Sequence, residues 1–253
     1  MDIPLTALSS DLTGLGLCSG DRVLVHSSFR ALGVSDPELL IRALLQVIGP
    51  RGTLLTPALS WTQNPSTVHD TRNTPSCIGF FAEYVRLRPG TRRSLHPTHS
   101  VCAIGADTGD LLDMHAEDTT PCGQHSPFNK LMQAGGKIVM LGCGLRPNTT
   151  MHAIEEYVRP PYLFGEEAEY TITDRNGRTF VKRYVMHGFA GVEQRYERVA
   201  PFLGPRGLVS GRVGNAESHV IAAPELLTVA LAALRLDPFA FVLQEHELPL
   251  ALG

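Results

Sequence analysis

His152 is followed three and four positions later by Glu155 and Glu156. Residues three and four apart on a helix share a face, so either carboxylate can meet the imidazole. A carboxylate on one ring nitrogen fixes the tautomer and stabilises the imidazolium, and the other nitrogen is then free to take a proton. That is the equipment of a general base, although the same spacing suits a solvated His–Glu pair on a helix surface. Ser27-Ser28 offers hydroxyls and backbone N–H groups to an anion such as a phosphate, or simply caps a helix. The run Arg92-Arg93-Ser94-Leu95-His96-Pro97-Thr98-His99-Ser100 crowds His, Ser and Thr together. Its arginines could meet an anion or stay solvated. Cys143 or Ser100 paired with a histidine would make a nucleophilic acyltransferase or amidase, but the chain has no Gly-x-Ser-x-Gly elbow.

These groups need elements to hold them. Residues 138–141 form a short apolar run between glycines, read as a buried strand. Gly142 and Gly144 open a loop, Asn148 is a plausible N-cap, and the helix carrying His152 must end by Pro160-Pro161 because proline cannot donate the next hydrogen bond. His152 therefore falls in the first turns of a helix just beyond a strand end, where α/β proteins place their sites. Upstream, residues 21–26 (strand), 37–47 (helix) and 53–56 (strand) make a βαβ pattern. An amphipathic helix lies within 1–20. Further helices are expected at 80–88, 107–115, 128–133, 189–203 and 224–236, with a strand at 101–104 and a strand-like segment at 208–214. Residues 59–75, which include the single tryptophan Trp61, read as a long irregular loop of the kind often tied to function. Asp174-Arg175-Asn176-Gly177 between alternating segments predicts a β-hairpin.

The 253 residues carry 43% hydrophobic and 19% charged side chains and a formal charge of −3. That composition is ordinary for a soluble globular protein with a sizeable core, and the charge argues against a nucleic-acid partner, which calls for a basic patch. No stretch is apolar enough to span a membrane, and the start of the chain shows no secretory signal, so a cytoplasmic location is expected. The five cysteines include no Cys-x-x-Cys pair. Cys122-Gly-Gln-His125 supplies two zinc ligands where a closed structural site needs about four, so no metal is expected. One domain over 1–253 is expected, with 165–200 as an insertion or cap.

Six segments then resemble, in order and spacing, the aminoglycoside 3-N-acetyltransferase family. They are Val-His-Ser-Ser-Phe-Arg-Ala-Leu-Gly (25–33), Gly-Pro-Arg-Gly-Thr-Leu-Leu-Thr-Pro (49–57), His-Pro-Thr-His-Ser-Val-Cys-Ala-Ile-Gly (96–105), Ser-Pro-Phe-Asn-Lys-Leu (126–131), Asn-Thr-Thr-Met-His-Ala-Ile-Glu-Glu (148–156) and Gly-Arg-Val-Gly-Asn-Ala-Glu-Ser (211–218). The resemblance covers nearly the whole chain. It implies an α/β fold of that family's type, with a central sheet, flanking helices and a hairpin-containing insertion, distinct from the GNAT fold. It also implies direct transfer of acetyl from acetyl-CoA to an amine, most naturally the 3-amino group of a 2-deoxystreptamine aminoglycoside, and hence antibiotic resistance. His152 matches the family's catalytic histidine and Glu155 its carboxylate. The CoA contacts map to Ser27, Ser28, Phe29, Arg30, His96 and Ser100. Acidic candidates for an acceptor pocket are Asp70, Glu117-Asp118, Glu156 and Glu166-Glu167. The expected partners are a small amine, CoA and, as an option, a second copy of the chain in a homodimer. The version of the motif at 148–156 also resembles members that acetylate other amines. A ligand-binding module without activity is the non-enzymatic alternative.

Overall fold

A computed structural model describes residues 3–245. The strands in chain order are β1 (Arg22–Ser27), β2 (Thr53–Pro57), β3 (His69–Asp70), β4 (Arg92–Arg93), β5 (Val101–Gly105), β6 (Lys137–Leu141), β7 (Phe164–Thr173), β8 (Thr179–His187), β9 (Val192–Gln194), β10 (Leu208–Val213), β11 (Ala216–Ala222) and β12 (Val242–Gln244). The α-helices are α1 (Leu5–Gly14), α2 (Pro37–Ile48), α3 (Phe80–Leu87), α4 (Thr108–Leu112), α5 (Pro127–Gln133), α6 (Thr150–Val158) and α7 (Ala223–Leu236).

Seven strands form one mixed sheet in the order β10-β11-β6-β1-β2-β5-β4. β1 lies at its centre and runs parallel to both β2 and β6. The outer strands pair antiparallel. Period-2 alternation divides the central strands between two cores. Val23, Val25, Val139 and Leu141 face a core shared with Leu8 and Leu12 of α1, Leu40, Ile41 and Leu44 of α2, and Phe81 of α3. Leu24, Ile138 and Met140 face the other, shared with Leu111 of α4, Phe128 of α5, Met151 of α6 and Leu226 of α7. The result is a single-domain α/β sandwich with helices on both faces, as the βαβ pattern implied.

Local chemistry explains most boundaries. Pro37 sits at the first position of α2, and the Asp36 carboxylate accepts from the Glu38 N–H at 2.9 Å, the arrangement an N-cap requires. Gly49 ends that helix with φ 66°. The Asn-Gly turn closes a hairpin in which Thr173 faces Thr179, and β3 adds to the same small sheet alongside β7.

Several expectations need correction. The segment at 189–203 is not one helix. Gly191 bends it into strand β9, and a 3₁₀ stretch Tyr196–Phe202 follows, with Pro201 inside it; proline cannot continue an α-helical hydrogen-bond ladder. The helix expected at 107–115 is α for one short stretch and 3₁₀ over Asp113–Glu117. β11, which pairs with β6 in the middle of the sheet order, was not anticipated.

Gly105 ends β5 with φ 132°, and a Cβ there would run into the Gly52 carbonyl oxygen and approach Thr53 Cα at 2.8 Å. Backbone atoms on both sides leave no room to yield. Gly105→Ala should therefore destabilise the fold by about 1–3 kcal/mol. Urea unfolding checks this, and an unchanged midpoint would contradict it.

Candidate active site

β1, β2 and β6 end on the same side of the sheet, and at those carboxyl ends lies a cavity of about 820 Å³. Open α/β sheets place ligands at this position. His26 and Ser27 from β1, Thr56 and Pro57 from β2, and Cys143 just past β6 supply its floor. Trp61 from the 59–75 loop, Phe81 of α3 and Phe189 supply apolar walls. His99, His152, His187 and Tyr196 stand along one side.

α6 positions His152. Asn148 Oδ1 accepts from the Thr150 N–H at 3.1 Å, so Asn148 performs the expected capping while the boundary residue is Thr149. The helix stops at Arg159, which takes φ 55° immediately before Pro160-Pro161. His152 thus sits in the first turn, with its ring centroid 4.9 Å from Phe189, 5.3 Å from His187, 5.6 Å from Tyr196 and 5.8 Å from His99. Burial, aided by neighbouring His187 and His26, holds its pKa well below the usual 6.5. At neutral pH the ring is therefore uncharged and has a lone pair to offer. Its Nδ1 is buried without a hydrogen-bond partner.

The two carboxylates do not do what the spacing suggested. Glu155 makes no hydrogen bond to His152. Its two oxygens accept from the hydroxyls of Tyr162 at 2.9 Å and Tyr196 at 2.8 Å, and it is 0% exposed. In a desolvated position two phenolic donors satisfy a carboxylate, and an imidazole that is itself uncharged draws it weakly. Burial pushes the Glu155 pKa up to about 7, against the pull of the two tyrosines. Glu155 therefore reaches His152 only through Tyr196, whose ring packs on the imidazole. Tyr196→Phe should leave one carboxylate oxygen unsatisfied and cost about 1–3 kcal/mol of stability; equal thermal unfolding of variant and wild type would refute this.

Glu156 instead meets a different histidine. Its Oε1 accepts from the Cys122 N–H at 2.7 Å and pairs with His187 Nε2 at 2.8 Å, and Thr120 Oγ1 donates to Oε2. Glu156 does not line the cavity, so it is not placed to bind an acceptor there. Neither Asp70 nor Glu117 lines it. Asp70 is committed to the N–H groups of Arg72 and Asn73 and to the Asn73 amide, and Glu117 is exposed at the end of a 3₁₀ turn. Among the described residues no carboxylate lines the cavity, and Arg146 is its one permanently charged side chain.

The expected CoA contacts divide similarly. Ser27 lines the cavity, and its Oγ is buried without a partner. Ser28 and Arg30 are exposed on the adjoining turn but outside the lining. Phe29 packs between Phe80 and Phe81 at ring distances of 5.7 and 6.0 Å. His96 is fully buried, stacked on His115 at 4.9 Å and edge-on to Tyr184. Ser100 is fully buried, donates to the Ala58 carbonyl and accepts from Arg93 Nε at 2.7 Å. His96 and Ser100 are therefore sealed inside the scaffold, and Phe29 lies outside the cavity lining. Arg93 is not a solvated residue: it is 7% exposed and also donates to the Thr74 and Ala58 carbonyls, and burial lowers its pKa to about 10. Arg92 pairs with Asp113.

Cys143 does line the cavity, yet burial pushes its thiol up to about 11. A nucleophilic cysteine needs a depressed pKa, so the nucleophile alternative finds no support at Cys143, and Ser100 is sealed inside. The residues that sequence reasoning missed are Tyr162, Tyr196, His187 and Phe189. The tyrosines lie seven and 41 positions from Glu155, and no local motif links them to it. His99 stood in a conspicuous run but carried no assigned role.

Comparison with known proteins places this geometry. The family model described as aminoglycoside 3-N-acetyltransferase matches residues 24–235. Aminoglycoside N(3)-acetyltransferase VII of Streptomyces paromomycinus is 30% identical, with 90% of each chain covered. The crystal structure of aminoglycoside acetyltransferase AAC(3)-Xa superposes with a TM-score of 0.81 at 25% identity, covering 92% of this chain and 93% of the other. The AAC-IIIb binary complex with CoASH superposes at 0.79 and 26% identity, covering 93% and 97%.

Proposed function

The chain belongs to the aminoglycoside 3-N-acetyltransferase family and is an acetyltransferase of that kind, and on this premise we propose that it moves acetyl from acetyl-CoA directly to the 3-amino group of a 2-deoxystreptamine aminoglycoside, with His152 as general base. The observation that carries the reading is a buried, uncharged imidazole on the wall of a large cavity at the strand ends. An acceptor amine arrives mostly as an ammonium, which has no lone pair. His152 takes the proton. The freed lone pair forms a bond to the thioester carbonyl carbon, and the carbonyl oxygen takes up the negative charge. The nitrogen of the adduct, now positively charged, gives up a second proton as the adduct collapses with cleavage of the C–S bond. Of the two protons the ammonium has lost, one goes to the departing CoA thiolate and the other to solvent. Ser27, with its unpartnered hydroxyl at the end of β1, is the side chain best placed to donate to the developing oxyanion. The Ser28 N–H is not free for that task, since it donates to the Leu141 carbonyl at 2.9 Å.

A second reading keeps the reaction and changes the acceptor. A polycationic aminoglycoside calls for a carboxylate-rich pocket, whereas this lining has none among the described residues and includes Arg146. That charge pattern favours an amine of lower positive charge, with apolar surface to lay against Trp61, Phe81 and Phe189. Release of free CoA thiol from acetyl-CoA, followed across aminoglycosides and simpler amines, separates the two. Turnover confined to 2-deoxystreptamine compounds supports the first reading, and turnover confined to other amines supports the second. No turnover with any amine would overturn both.

A further inference from the structure

The three histidines on one side of the cavity have a geometry that acetyl transfer does not need. One ring nitrogen each from His99, His152 and His187 lies within 4.8 Å of the other two. The ring centroids are 5.3, 5.3 and 5.8 Å apart. A tetrahedral zinc holds imidazole nitrogens at about 2.0–2.1 Å, which puts ligating nitrogens roughly 3.3 Å apart and ring centroids roughly 5.2 Å apart. The rings therefore already stand at nearly the required spacing. Side-chain rotations that bring each nitrogen inward by at most about 0.8 Å would close the site.

The surrounding contacts fit too. A ligating histidine usually gives its other ring nitrogen to a carboxylate, carbonyl or hydroxyl, which fixes the tautomer. His187 meets Glu156 through Nε2 at 2.8 Å, and its Nδ1 is buried without a partner. Glu156 is itself held by the Cys122 N–H and the Thr120 hydroxyl. His99 meets the Thr98 hydroxyl through Nδ1 at 2.9 Å, which leaves Nε2 for an ion. His152 has an unpartnered Nδ1. All three line the cavity, so a fourth position would face solvent or substrate.

We propose that His99, His152 and His187 form a three-histidine site for a divalent transition metal of the zinc class, with Glu156 and Thr98 as its orienting partners. Because His152 cannot hold a metal and accept the substrate proton through the same nitrogen, occupancy turns the transfer off. This last consequence rests on the role of His152 given above; the site itself does not. The three residues belong to the approach to β5, to α6 and to the end of β8, so no short motif announces them.

The test uses the full chain stripped with EDTA and titrated with Co²⁺ and Zn²⁺. Expected are one ion per chain by calorimetry and the visible d–d absorption of low-coordinate Co²⁺, displaced by Zn²⁺. His187→Ala should abolish the absorption, and His99→Gln serves as a second ligand variant should the first fail to fold. Glu156→Gln, which removes only the orienting carboxylate charge, should weaken binding about 10–100-fold. Zn²⁺ should suppress acetyl transfer at the concentration that fills the site, and EDTA should restore it. Absence of stoichiometric binding, or binding unchanged in His187→Ala and His99→Gln, overturns the site. Full turnover with metal bound overturns the coupling to His152. A cobalt signal in a chain without transferase activity keeps the site and removes the function proposed above, while turnover without a cobalt signal does the reverse.

Discussion

His152→Ala should lower kcat/KM for acetyl transfer by about 10²–10⁴ at pH 7 while the variant folds and unfolds like wild type. General-base assistance is worth a rate factor of that size, or roughly 3–5 kcal/mol of barrier. The substrate ammonium has no lone pair, so the step that suffers is the one that makes the nucleophile. Binding of acetyl-CoA, measured by calorimetry on the same variant, should change little, because the role proposed for His152 is confined to the proton. The fall should appear mainly in kcat, as for an interaction made only in the transition state. Since the alanine leaves space in a buried wall, exogenous imidazole should restore part of the rate. A variant with undiminished kcat/KM would remove His152 from the chemistry. Glu155→Gln is a graded companion. The carboxylate reaches the imidazole only through Tyr196, so its loss should cost less turnover than the loss of the base, and an equal cost would point to a direct contact formed on substrate binding.

Acid should destabilise the fold steeply, starting below pH 6.5, through histidines buried without charge. His115 is fully buried with Nδ1 on the Ser94 hydroxyl at 2.9 Å, and burial lowers its pKa to about 3. His69 is likewise fully buried, with Nδ1 on Gln63 at 3.2 Å, and is lowered to about 3 by burial and by Arg93. The folded form binds these protons more weakly than the unfolded chain does. Their contribution is thus complete above pH 6.5 and is lost as pH falls towards about 3. The slope is up to about 1.4 kcal/mol per pH unit for each group. Between pH 7 and pH 5 the pair would cost up to about 4 kcal/mol, a large share of the total stability of about 5–15 kcal/mol typical of a folded domain. Urea unfolding at pH 7 and pH 5 measures the loss. His115→Gln, which can still accept from Ser94 but cannot ionise, should flatten the slope by up to about 1.4 kcal/mol per pH unit. A pH-independent unfolding free energy over this range would contradict the account.

The framework was legible because its determinants are local. Short apolar runs marked β1, β2, β5 and β6, the last between glycines, prolines stopped α6, and Asn176-Gly177 closed the hairpin. The candidate site was legible in part. Family resemblance and helix spacing both pointed to His152, which lines the cavity; spacing offered it Glu155 or Glu156, and the resemblance selected Glu155. The direct bond is not made, because residues at i and i+3 are only offered to each other. Two tyrosines, one of them brought from a distant 3₁₀ turn, met the carboxylate first. Ser100 and His96 show the same limit in reverse: hydroxyl and imidazole groups crowded against a strand look reactive, but their neighbours in space had already used them. β11 escaped notice because its sequence, Ala-Glu-Ser-His-Val-Ile-Ala, mixes polar and small residues, and the side it presents to β6 becomes apparent only once β6 is in place.

The brevity of β4 has a consequence for the molecule in a crowded solution. A sheet that ends in a long, flat strand exposes unpaired N–H and C=O groups that can recruit a strand from another molecule. Here one edge of the seven-stranded sheet is only Arg92–Arg93. Its two residues offer too few backbone groups for a foreign strand to grip, and Arg92 sets a guanidinium paired with Asp113 beside them. The same arginine pair that invites a reading as an anion site thus works at this edge as a guard against aggregation.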